Sequence, residues 1–485
     1  MNSSRPRTST AQAAVASSIV CWLLLANFGF AQRDELLDSI VKQESEAWKI
    51  ASDIWGFAEP GYQETKSSAV LAQWLTKSGF RVETGVADIP TSIVATYGAG
   101  APVIGILGEF DALPGLSQQG VPVRQPAEGR YGHGCGHHLF GAASANAAIA
   151  LKRQIESGQL KGTIRFYGCP AEEGGSAKVF MVQAGLFDDC DTVLHWHPSH
   201  QNSAGDRSSL ARIAVKFRFH GKSAHAAGQP EEGRSALDAV ELTNYAAELL
   251  REHVPEQARI HHVITAGGLA PNVVPDFAEV YFYVRHPKAE VVRGLYQRLV
   301  LCAKAGALAT ETKLEIKFEG GIVEILPNNT LAQIALKNLR ELNDLKYTKE
   351  EIEFALRIQQ TFSQRLPLDE VERVTDQSGT ISRGSTDVGD VSWVVPTTGF
   401  SASCWVPGTP GHSWQAVACG IQPFARRGMT LASRVLAATA WDLMKNPRLI
   451  AIAKQEHRKR TGAMKYTTLM LRDQKPPLDY RNPPK

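Results

Sequence analysis

The chain has 485 residues, of which 43% are hydrophobic and 21% are charged, a composition typical of a globular protein with two or more domains. Its formal net charge of +3 is too small to indicate a nucleic-acid partner. Its seven cysteines lack the spacing of a small disulfide-rich domain, which excludes that class as well.

The first predicted element is a secretory signal peptide over residues 1–31. Arg5 and Arg7 form a basic start, the apolar run AVASSIVCWLLLANFGF follows, and GFAQ places small residues where a signal peptidase cuts. We therefore expect a mature chain that begins at Gln32 and is exported, to a periplasm or out of the cell, with no membrane association after cleavage. An uncleaved membrane anchor is the alternative, but the apolar run is short for a spanning helix.

Residues 32–205 alternate between helical and strand patterns. Helices are predicted at DELLDSIVKQESEAWKIASDIWGFAE, at TKSSAVLAQWLTKSGF, from His138 to about Ile155, and at AKVFMVQAGLF. Strands are predicted at TSIVATYG, PVIGILGEF, GTIRFYGCP and DTVLHWHP. This alternation predicts an α/β domain with a mostly parallel mixed sheet flanked by helices.

Residues 206–322 have a different pattern, with four alternating strands and two long helices. The strands RIAVKFRFHG, IHHVITAGG, FAEVYFYVRHP and KLEIKFEGG predict an inserted α+β domain with a ferredoxin-like antiparallel sheet. The first domain is expected to resume over residues 323–448, with strands in DVSWVVPTTGFSASCW and a long helix from Ser413 to about Lys445. Residues 449–485 are predicted to be a tail whose Pro-rich end, QKPPLDYRNPPK, is loose.

Five clusters of polar side chains follow predicted strands or begin predicted helices. They are GEFDALPG with Glu109 and Asp111, GCGHH with Cys135, His137 and His138, CPAEEGG with Glu172 and Glu173, LHWHP with His195 and His197, and PGTPGHSWQ with His412. Each cluster alone has an ordinary explanation, since adjacent glutamates usually mark a solvated surface and a lone aspartate after a strand is usually a turn residue. Ligands bind at the carboxyl ends of strands in open α/β sheets. The coincidence of the five clusters there indicates a hydrolytic metal site, in which nitrogen, sulfur and oxygen hold the ion and a free carboxylate activates water.

The motifs GCGHH, PAEEGG, GKSAHAA, APNVVPD and PGTPGHSWQ occur in that order within residues 35 to 445. Together they resemble the aminoacylase/carboxypeptidase family of co-catalytic metallopeptidases and amidohydrolases, and most of all its branch of aminobenzoyl-glutamate utilization protein B. The resemblance implies a catalytic domain built from residues 32–205 and 323–448 and a lid and dimerisation domain over residues 206–322. It also implies two divalent metal ions (Zn or Mn), a homodimer formed through the lid, and hydrolysis of N-acyl or aminobenzoyl amino acids similar to p-aminobenzoyl-glutamate.

The same resemblance assigns roles to the clustered residues. The implied metal ligands are Cys135, His137, Glu173 and His412, and Glu172 is the implied general base. The fifth ligand lies in LHWHP, where some related amidohydrolases favour His195 and the nearer branch favours His197. Residues two apart on a strand share a face, so periodicity does not decide between them; we favour His197.

Further roles follow from the resemblance outside the ligand set. Asp111 is expected to orient a ligand, His225 to stabilise the developing oxyanion in the partner subunit's active site, and Asn272 and Arg285 to contact the substrate. Glu109 stands where the carboxypeptidase branches have a metal-binding histidine, and His138 stands where related amidohydrolases often have aspartate. The segment GSTDVGDVSW over residues 384–393 is typical of the nearer branch, and we expect it to support the fold or the ligands.

Three other functions stay open at the level of sequence. A dipeptidase of the same family differs only in its substrate, and a panel of substrates separates it from an N-acyl amino acid hydrolase. A binding protein without chemistry would lack the base or several ligands, whereas this chain keeps both glutamates. Cys135 near His137 could belong to a cysteine hydrolase, but no oxyanion-hole motif accompanies the pair.

Overall fold

The computed structural model describes residues 32–481, so the predicted signal peptide over residues 1–31 lies outside the described residues. Within residues 32–481 no helix combines the length and the apolar character needed to cross a bilayer. The six cysteines of this range are free thiols. Two main sheets form, and each is packed on its own hydrophobic core.

The helices follow the predicted order along the first half of the chain and become more numerous after it. The α-helices are α1 (residues 32–42), α2 (Glu44–Phe57), α3 (Thr65–Lys77), α4 (His137–Glu156), α5 (Ala177–Gln183), α6 (Ala236–Arg251), α7 (Ala289–Ala309), α8 (Asn329–Leu342), α9 (Lys349–Gln359), α10 (Val388–Val394), α11 (Trp414–Cys419), α12 (Pro423–Lys445) and α13 (Pro447–Thr461). Short 3₁₀ turns occur at Val86–Asp88, Pro230–Glu232 and Leu368–Glu372.

The strands divide between the two main sheets and one small pair. They are β1 (Arg81–Thr84), β2 (Ile93–Ala99), β3 (Val103–Glu109), β4 (Leu113–Pro114), β5 (Tyr131–Gly132), β6 (Gly162–Cys169), β7 (Thr192–Ser199), β8 (Asn202–Ala204), β9 (Ala211–His220), β10 (Arg259–Ala266), β11 (Phe277–His286), β12 (Lys313–Ile322), β13 (Val374–Asp376) and β14 (Thr397–Ser403).

The larger sheet has eight strands in the order β1-β2-β6-β3-β7-β14-β8-β13. The central strands β6, β3, β7 and β14 run parallel to one another. Strands β1 and β2 join the sheet in antiparallel pairs, and β8 is antiparallel to β14 but parallel to β13. This arrangement confirms the prediction of an α/β fold with a mixed, mostly parallel sheet. The carboxyl ends of the four central strands therefore lie at one edge of the sheet.

Helix α4 packs closely on β3 because small residues fill its contact face. A Cβ atom on Gly141 would lie 2.8 Å from the backbone oxygen of Glu109, so glycine is needed for this close approach. His137 begins the same helix, one turn earlier, and is completely buried. The packing of α4 on β3 thus sets the start of the helix against the end of the strand.

The smaller sheet has the order β10-β11-β9-β12, and each of its pairs is antiparallel. Helices α6 and α7 cover one face of it, where Ile213, Val215 and Phe217 of β9 are buried. The alternate residues of β9, among them Arg212 and Lys216, lie on the other face, as expected for a strand with one side in the core. The antiparallel α+β fold is confirmed, and the residue boundaries of the two domains stay predictions.

Two elements predicted after residue 380 differ from the structure: one predicted strand is partly a helix, and one predicted long helix is two helices. Residues Val388–Val394 form helix α10 rather than a strand, since a short apolar run does not distinguish the two and Val388 and Val391, three apart, are both buried. The predicted helix from Ser413 is interrupted after Cys419 and begins again at Pro423. Proline suits the first turn of a helix because its missing N–H would have no partner there.

The tail is packed on the fold as far as residue 481, contrary to the sequence prediction: within the Pro-rich end, Tyr480 lies 5.7 Å from the ring of Tyr62, and residues 482–485 lie outside the described residues. Helix α13 continues the fold to Thr461, and beyond it Leu469 and Met470 are buried. The Tyr466 hydroxyl donates a hydrogen bond of 2.6 Å to Asp390 Oδ1. The anchors at Tyr466, Leu469 and Met470 precede the Pro-rich segment, and its composition carries no information about the long-range contacts that hold the chain before and within it.

Candidate active site

The predicted site residues converge at the carboxyl edge of the larger sheet. Glu109 ends β3, the two adjacent glutamates follow β6, and His195 and His197 lie in β7. Since β6, β3 and β7 are parallel neighbours, their ends bring these side chains together.

The GCGHH loop turns its cysteine and first histidine toward this edge. Gly136 has φ +79°, and a Cβ atom there would lie 2.8 Å from the side chain of Pro198. Only glycine fits this combination of left-handed backbone and close approach. Cys135 Sγ consequently lies 3.3 Å from Nε2 of His197 on the neighbouring strand.

His137 is held by two carboxylates. Its Nδ1 lies 2.7 Å from Asp111 Oδ1, and its Nε2 lies 3.1 Å from Glu109 Oε2. Burial alone would lower the pKa of His137, but the neighbouring Cys135, Asp111 and Glu109 outweigh burial and raise that pKa well above its usual value. The bond from Nδ1 to a carboxylate leaves Nε2 as the ligating atom, an arrangement common among metal-binding histidines.

The thiol of Cys135 is poised to be a thiolate. Burial opposes its ionisation, but the imidazoles of His197 and His137 outweigh burial and hold the pKa of this thiol well below its usual value. His197 Nδ1 donates a hydrogen bond of 2.7 Å to the carbonyl oxygen of Pro198. The Nε2 atom that faces Cys135 is therefore the unprotonated nitrogen whenever the His197 ring is neutral.

The PAEEGG loop places the two glutamates in different surroundings. Glu172 is raised in pKa well above its usual value, first by burial and then by the charges of Glu109, Glu173 and Asp387. Burial and the nearby Cys135 raise the pKa of Glu173 to about 7. The Glu173 backbone N–H donates to Asp111 Oδ2 at 2.9 Å, so the aspartate that orients His137 also fixes this loop.

His412 reaches the site from the loop before α11. Its φ is 52°, an uncommon value for a residue with a side chain, and its N–H donates to the carbonyl oxygen of Gly134 at 3.0 Å. Its Nε2 lies 3.1 Å from Glu173 Oε1, and the Cys135 and Glu173 side chains raise the pKa of His412 to about 11.

The two histidines of LHWHP are placed differently. His197 contacts Cys135, whereas the His195 ring lies against Gly399 of β14, where a Cβ atom would come within 2.2 Å of the ring. Burial, with the nearby His197 and Lys178, lowers the pKa of His195 to about 3, so this ring is neutral. The geometry favours His197 as the ligand, and the ligand assignment itself stays a prediction.

The donor set fits metal ions. The five predicted ligands fall into two groups that share Cys135: one adds His137 and His197, the other adds Glu173 and His412, and within each group the ligand atoms lie within 4.8 Å of one another. A third group with the same spacing joins Glu109, His137 and Glu172.

Two of the ligand atoms are incompletely satisfied by the protein. His137 Nε2 and Glu173 Oε1 are buried and form no well-aligned hydrogen bond in the described part of the chain, although Glu109 Oε2 lies 3.1 Å from the first and His412 Nε2 lies 3.1 Å from the second. Leaving a buried polar atom unpaired costs about 1–3 kcal/mol. An ion in each of the two groups that share Cys135 would satisfy both atoms.

Behind the ligands lies a buried ion network that the sequence analysis did not find. The ammonium group of Lys178, which is completely buried, lies 2.6 Å from Glu109 Oε1 and 2.7 Å from Asp387 Oδ1. Asp387 belongs to the segment over residues 384–393 that we expected to support the fold or the ligands. The available signal was a single lysine within the apolar helix AKVFMVQ, where a charge must find a buried partner.

Two other histidines of the YGHGCGHH stretch point away from the ligands. His133 Nε2 bonds to the carbonyl oxygen of Ile54 at 3.0 Å, and His138 Nε2 bonds to that of Gly420 at 2.9 Å. Their rings lie 4.9 Å apart, so they form a buried pair on the other side of the loop.

A cavity of about 630 Å³ opens in front of the glutamates and histidines. Four arginines also line it: Arg207, Arg212 and Arg285, and Arg481, whose Nη2 donates to the carbonyl oxygen of Glu173 at the glutamate loop. Besides the three glutamates of the site, the one acidic residue that lines it within residues 32–481 is Asp206, which already pairs with Arg460 at 3.1 Å. The cavity therefore combines candidate metal ligands with several guanidinium groups.

The predicted substrate contacts divide between this cavity and the lid. Arg285 lines the cavity, and its Nη1 donates to Ser385 Oγ at 3.2 Å. His225 and Asn272 do not line it; they lie together in the lid, where His225 pairs with Val273 and is exposed. His225 Nδ1 accepts the backbone N–H of Gly228 at 3.0 Å.

Comparison with known proteins gives one family. The sequence model described as "Peptidase family M20/M25/M40" matches residues 105–415. A p-aminobenzoyl-glutamate hydrolase subunit of Escherichia coli (strain K12) is 39% identical over 459 residues, covering 88% of this chain and 95% of that protein. The Xaa-Arg dipeptidase of Mus musculus is 28% identical over 422 residues, covering 84% and 88% of the two chains.

A solved structure has a similar fold. A dinuclear metal-binding peptidase of Bacillus subtilis from the M20 family superposes with a TM-score of 0.57 at 18% identity, covering 83% of this chain and 98% of that one. The similarity extends over both sheets, because it covers most of the described residues.

Proposed function

The chain belongs to peptidase family M20/M25/M40, and we propose that this metal-dependent amidohydrolase cleaves N-acyl or aminobenzoyl amino acids whose amine side is an acidic amino acid, such as p-aminobenzoyl-glutamate. The observation that carries this substrate class is that Arg207, Arg212 and Arg285 line the same cavity as Glu172. The name of the E. coli relative supports the same class.

The arginines favour an anionic substrate because they offer donors that the protein leaves unused. The Nε atoms of Arg207, Arg212 and Arg285 are buried, and no described residue accepts a hydrogen bond from them. A substrate carboxylate would supply acceptors and charge, and guanidinium–carboxylate bonds are among the strongest in proteins. An acidic amino acid carries two carboxylates for these guanidinium groups.

We propose that two divalent ions bind, one with His137 and His197 and one with Glu173 and His412, with Cys135 shared between them. When bound, such ions polarise the scissile carbonyl and lower the pKa of water. Thiolate is a soft ligand that suits zinc, and the family resemblance described above implies either zinc or manganese. The donor atoms accommodate either metal.

The residues around the ions then have separate tasks. The carboxylate of Glu172 takes a proton from the attacking water and passes that proton to the leaving amine nitrogen. Burial raises the pKa of Glu172, which favours its holding the proton between the two steps. Asp111 holds the ring of His137 through Nδ1 and the backbone of Glu173 through its second oxygen. These contacts keep the ligands and the base in one fixed geometry.

We propose that the lid acts across a two-fold homodimer. His225 accepts a backbone N–H at Nδ1, so in the neutral ring the proton sits on Nε2, ready to be donated to an oxyanion. Its exposure, together with its absence from the lining of the cavity in its own chain, supports a role in the partner's site. Asn272 lies beside it and would contact the substrate there.

A dipeptidase that acts on Xaa-Arg substrates is the second candidate, supported by the relative from Mus musculus. An arginine side chain in the substrate requires an acidic subsite, and Asp206, the acidic residue available in the cavity outside the glutamates, is already paired. The structure of the cavity thus favours the acidic substrate over the basic one.

A panel of four substrates tests this choice: p-aminobenzoyl-glutamate, its neutral analogue p-aminobenzoyl-glutamine, Ala-Glu and Ala-Arg. We expect kcat/KM for p-aminobenzoyl-glutamate to exceed that for the glutamine analogue by about 10- to 100-fold, the effect of one charge-assisted hydrogen bond. Preference for Ala-Arg over all the others would overturn the proposal in favour of the dipeptidase.

We also propose that the protein is exported and that cleavage exposes Gln32. The basic residues Arg5 and Arg7 ahead of the apolar run support this proposal. Mass spectrometry of the protein expressed with its full N-terminus tests it: an intact N-terminus on cytoplasmic protein would contradict export.

A further inference from the structure

The end of the C-terminal tail returns to the loop that carries the two glutamates. The Tyr480 hydroxyl donates a hydrogen bond of 3.3 Å to the carbonyl oxygen of Glu173, and Arg481 Nη2 donates to the same oxygen. Arg481 also lines the cavity beside Glu172. The tail therefore contacts the active-site loop directly, over a sequence separation of more than 300 residues.

The ring of Tyr480 occupies a slot that two glycines leave open. A Cβ atom on Gly61 would lie 2.2 Å from the Tyr480 hydroxyl oxygen, and one on Gly174 would lie 3.2 Å from its ring. Tyr62 packs on the ring edge-to-face at 5.7 Å, and the Arg481 guanidinium lies 4.8 Å from the ring centroid. These contacts are those of a built site rather than of a tail resting on a surface.

The loop needs such support because its backbone is strained. Ala171 has φ 53° and Ser176 has φ 58°, both in the left-handed region that residues with side chains avoid. Strained conformations at functional sites persist only where the surroundings hold them. Glu64 accepts the N–H of Ala171 at 2.8 Å and the Tyr62 hydroxyl donates to the carbonyl of Gly175 at 2.7 Å, so the loop is held at both ends.

Its middle is held at Glu173, from two sides. The catalytic core holds the N–H of that residue through Asp111, at 2.9 Å. The tail holds its carbonyl oxygen through Tyr480 and Arg481. Rotation of this backbone would move the carboxylates of both Glu172 and Glu173.

We propose that Tyr480 and Arg481 are positioning residues of the active site, which fix the carboxylates of Glu172 and Glu173 through the carbonyl oxygen of Glu173. This inference rests on the proposed roles of the two glutamates as base and metal ligand. The tail acts on catalysis and on metal retention through that single oxygen, without contacting the reacting atoms.

The test uses the full-length, metal-loaded enzyme and three tail variants. Arg481→Met removes the donor and keeps an unbranched stem, Arg481→Lys keeps charge and one donor, and Tyr480→Phe removes a hydroxyl while the ring still fills its slot. Arg472→Met is the matched control, since Arg472 lies in the same tail and is exposed. Kinetic constants, the rate of zinc loss to a chelator and the thermal midpoint are measured for each.

We expect Arg481→Met to lower kcat and to speed zinc loss by about 10- to 100-fold, the usual effect of removing a partner that orients metal ligands. KM should stay within about twofold, Arg481→Lys should recover part of both losses, and Tyr480→Phe should lose about 2- to 10-fold in each. The control should match the wild type. Should Arg481→Met fail to fold, Tyr480→Phe decides by the same two readouts.

Other outcomes overturn the inference. Unchanged kcat and zinc retention in both Arg481→Met and Tyr480→Phe would make the tail structural, and a rise in KM alone would make Arg481 a substrate-binding residue. The rate of zinc loss needs no substrate, so it tests the positioning role even if the wild type hydrolyses none of the proposed amides. A wild type without activity on these amides would contradict the proposed function. The rate of zinc loss alone would then decide the positioning role of the tail.

Discussion

Replacing Lys178 by methionine removes the cation between two buried carboxylates. Lys178 Nζ lies 2.6 Å from Glu109 Oε1 and 2.7 Å from Asp387 Oδ1, and all three side chains are almost fully buried. Methionine has a similar length and no charge. The substitution therefore largely fills the space of the lysine side chain but leaves the carboxylates of Glu109 and Asp387 without their counter-ion.

The cost follows from the burial of the network. Removing one partner of a buried ion pair costs about 3–5 kcal/mol, because the remaining charge stays desolvated. With an unfolding entropy of roughly 2.1 cal/mol/K per residue over the roughly 450 residues that the structure describes, the thermal midpoint falls by on the order of 3–5 °C. An exposed pair such as Lys49 with Asp53, whose lysine side chain is 72% exposed, is worth about 0–1 kcal/mol, so Lys49→Met is the matched control.

The loss depends on pH with a definite sign. Burial raises the pKa of Asp387 and the ammonium of Lys178 opposes that rise, so the substitution raises the pKa further. A carboxyl whose folded pKa exceeds its unfolded value favours folding most below the unfolded pKa and loses this contribution as pH rises through the folded pKa. The deficit of Lys178→Met relative to the wild type is therefore larger at pH 8 than at pH 5.

Thermal unfolding of chelator-treated wild type, Lys178→Met and Lys49→Met at the two pH values measures the effect without bound metal. A midpoint for Lys178→Met within about 1 °C of that for Lys49→Met at pH 8 would refute the argument, because it would mean that the carboxylates need no cation. If the thermal-midpoint deficit of Lys178→Met were larger at pH 5 than at pH 8, the argument that the folded variant holds a proton on Asp387 would be refuted.

Three further predictions concern the proposed catalytic residues. Glu172→Gln should keep its metal and lose about 10²–10⁴-fold in turnover, as for a general base, whereas Glu173→Gln should also lose metal; near-normal turnover of Glu172→Gln would contradict this. His197→Ala should reduce bound metal, measured by elemental analysis, more than His195→Ala does, and the reverse ranking would make His195 the ligand. Mixing His225→Ala homodimers with Glu172→Ala homodimers should recover roughly a quarter of wild-type activity after subunit exchange, because half of the dimers are then hybrids and each hybrid has one complete site. If subunits exchange and activity stays at the mutant level, the partner subunit does not complete the site.

The sequence predicted those parts of the site that depend on local pattern and strand order. GCGHH, PAEEGG and LHWHP each follow or begin a regular element, and parallel strand ends must meet at one edge, so their convergence follows from the alternation of helices and strands. The inserted antiparallel sheet was predictable for the same reason, because β9 and β11 alternate with period two.

The parts that the sequence did not predict depend on long-range partners. Lys178 lies in an apolar helix, and its role as a counter-ion exists only because Asp387 arrives from over 200 residues away. Tyr480 and Arg481 lie in a Pro-rich segment, where composition indicates flexibility and says nothing of a slot formed by Gly61 and Gly174. The pattern of helix α10 predicts a strand equally well, because a segment of seven residues that are mostly apolar or small is too short to distinguish the two periodicities.

The overall composition also conceals the local charge of the cavity, on which the proposed anionic substrate depends. A net charge of +3 over 485 residues indicates no charged partner, because the opposite charges are nearly equal in number. Their distribution in space is unequal: three glutamates lie together among the candidate metal ligands, where ions would neutralise them, and four guanidinium groups line the same cavity. With the proposed ions bound, the guanidinium groups would be the main uncompensated charges of the cavity while the molecule as a whole is nearly neutral, so attraction of the proposed anionic substrate would be short-ranged. We therefore expect the panel's preference for glutamate over glutamine to persist at about 0.15 M salt, where fields from the distant surface are screened beyond about 8 Å but contacts inside the cavity are not.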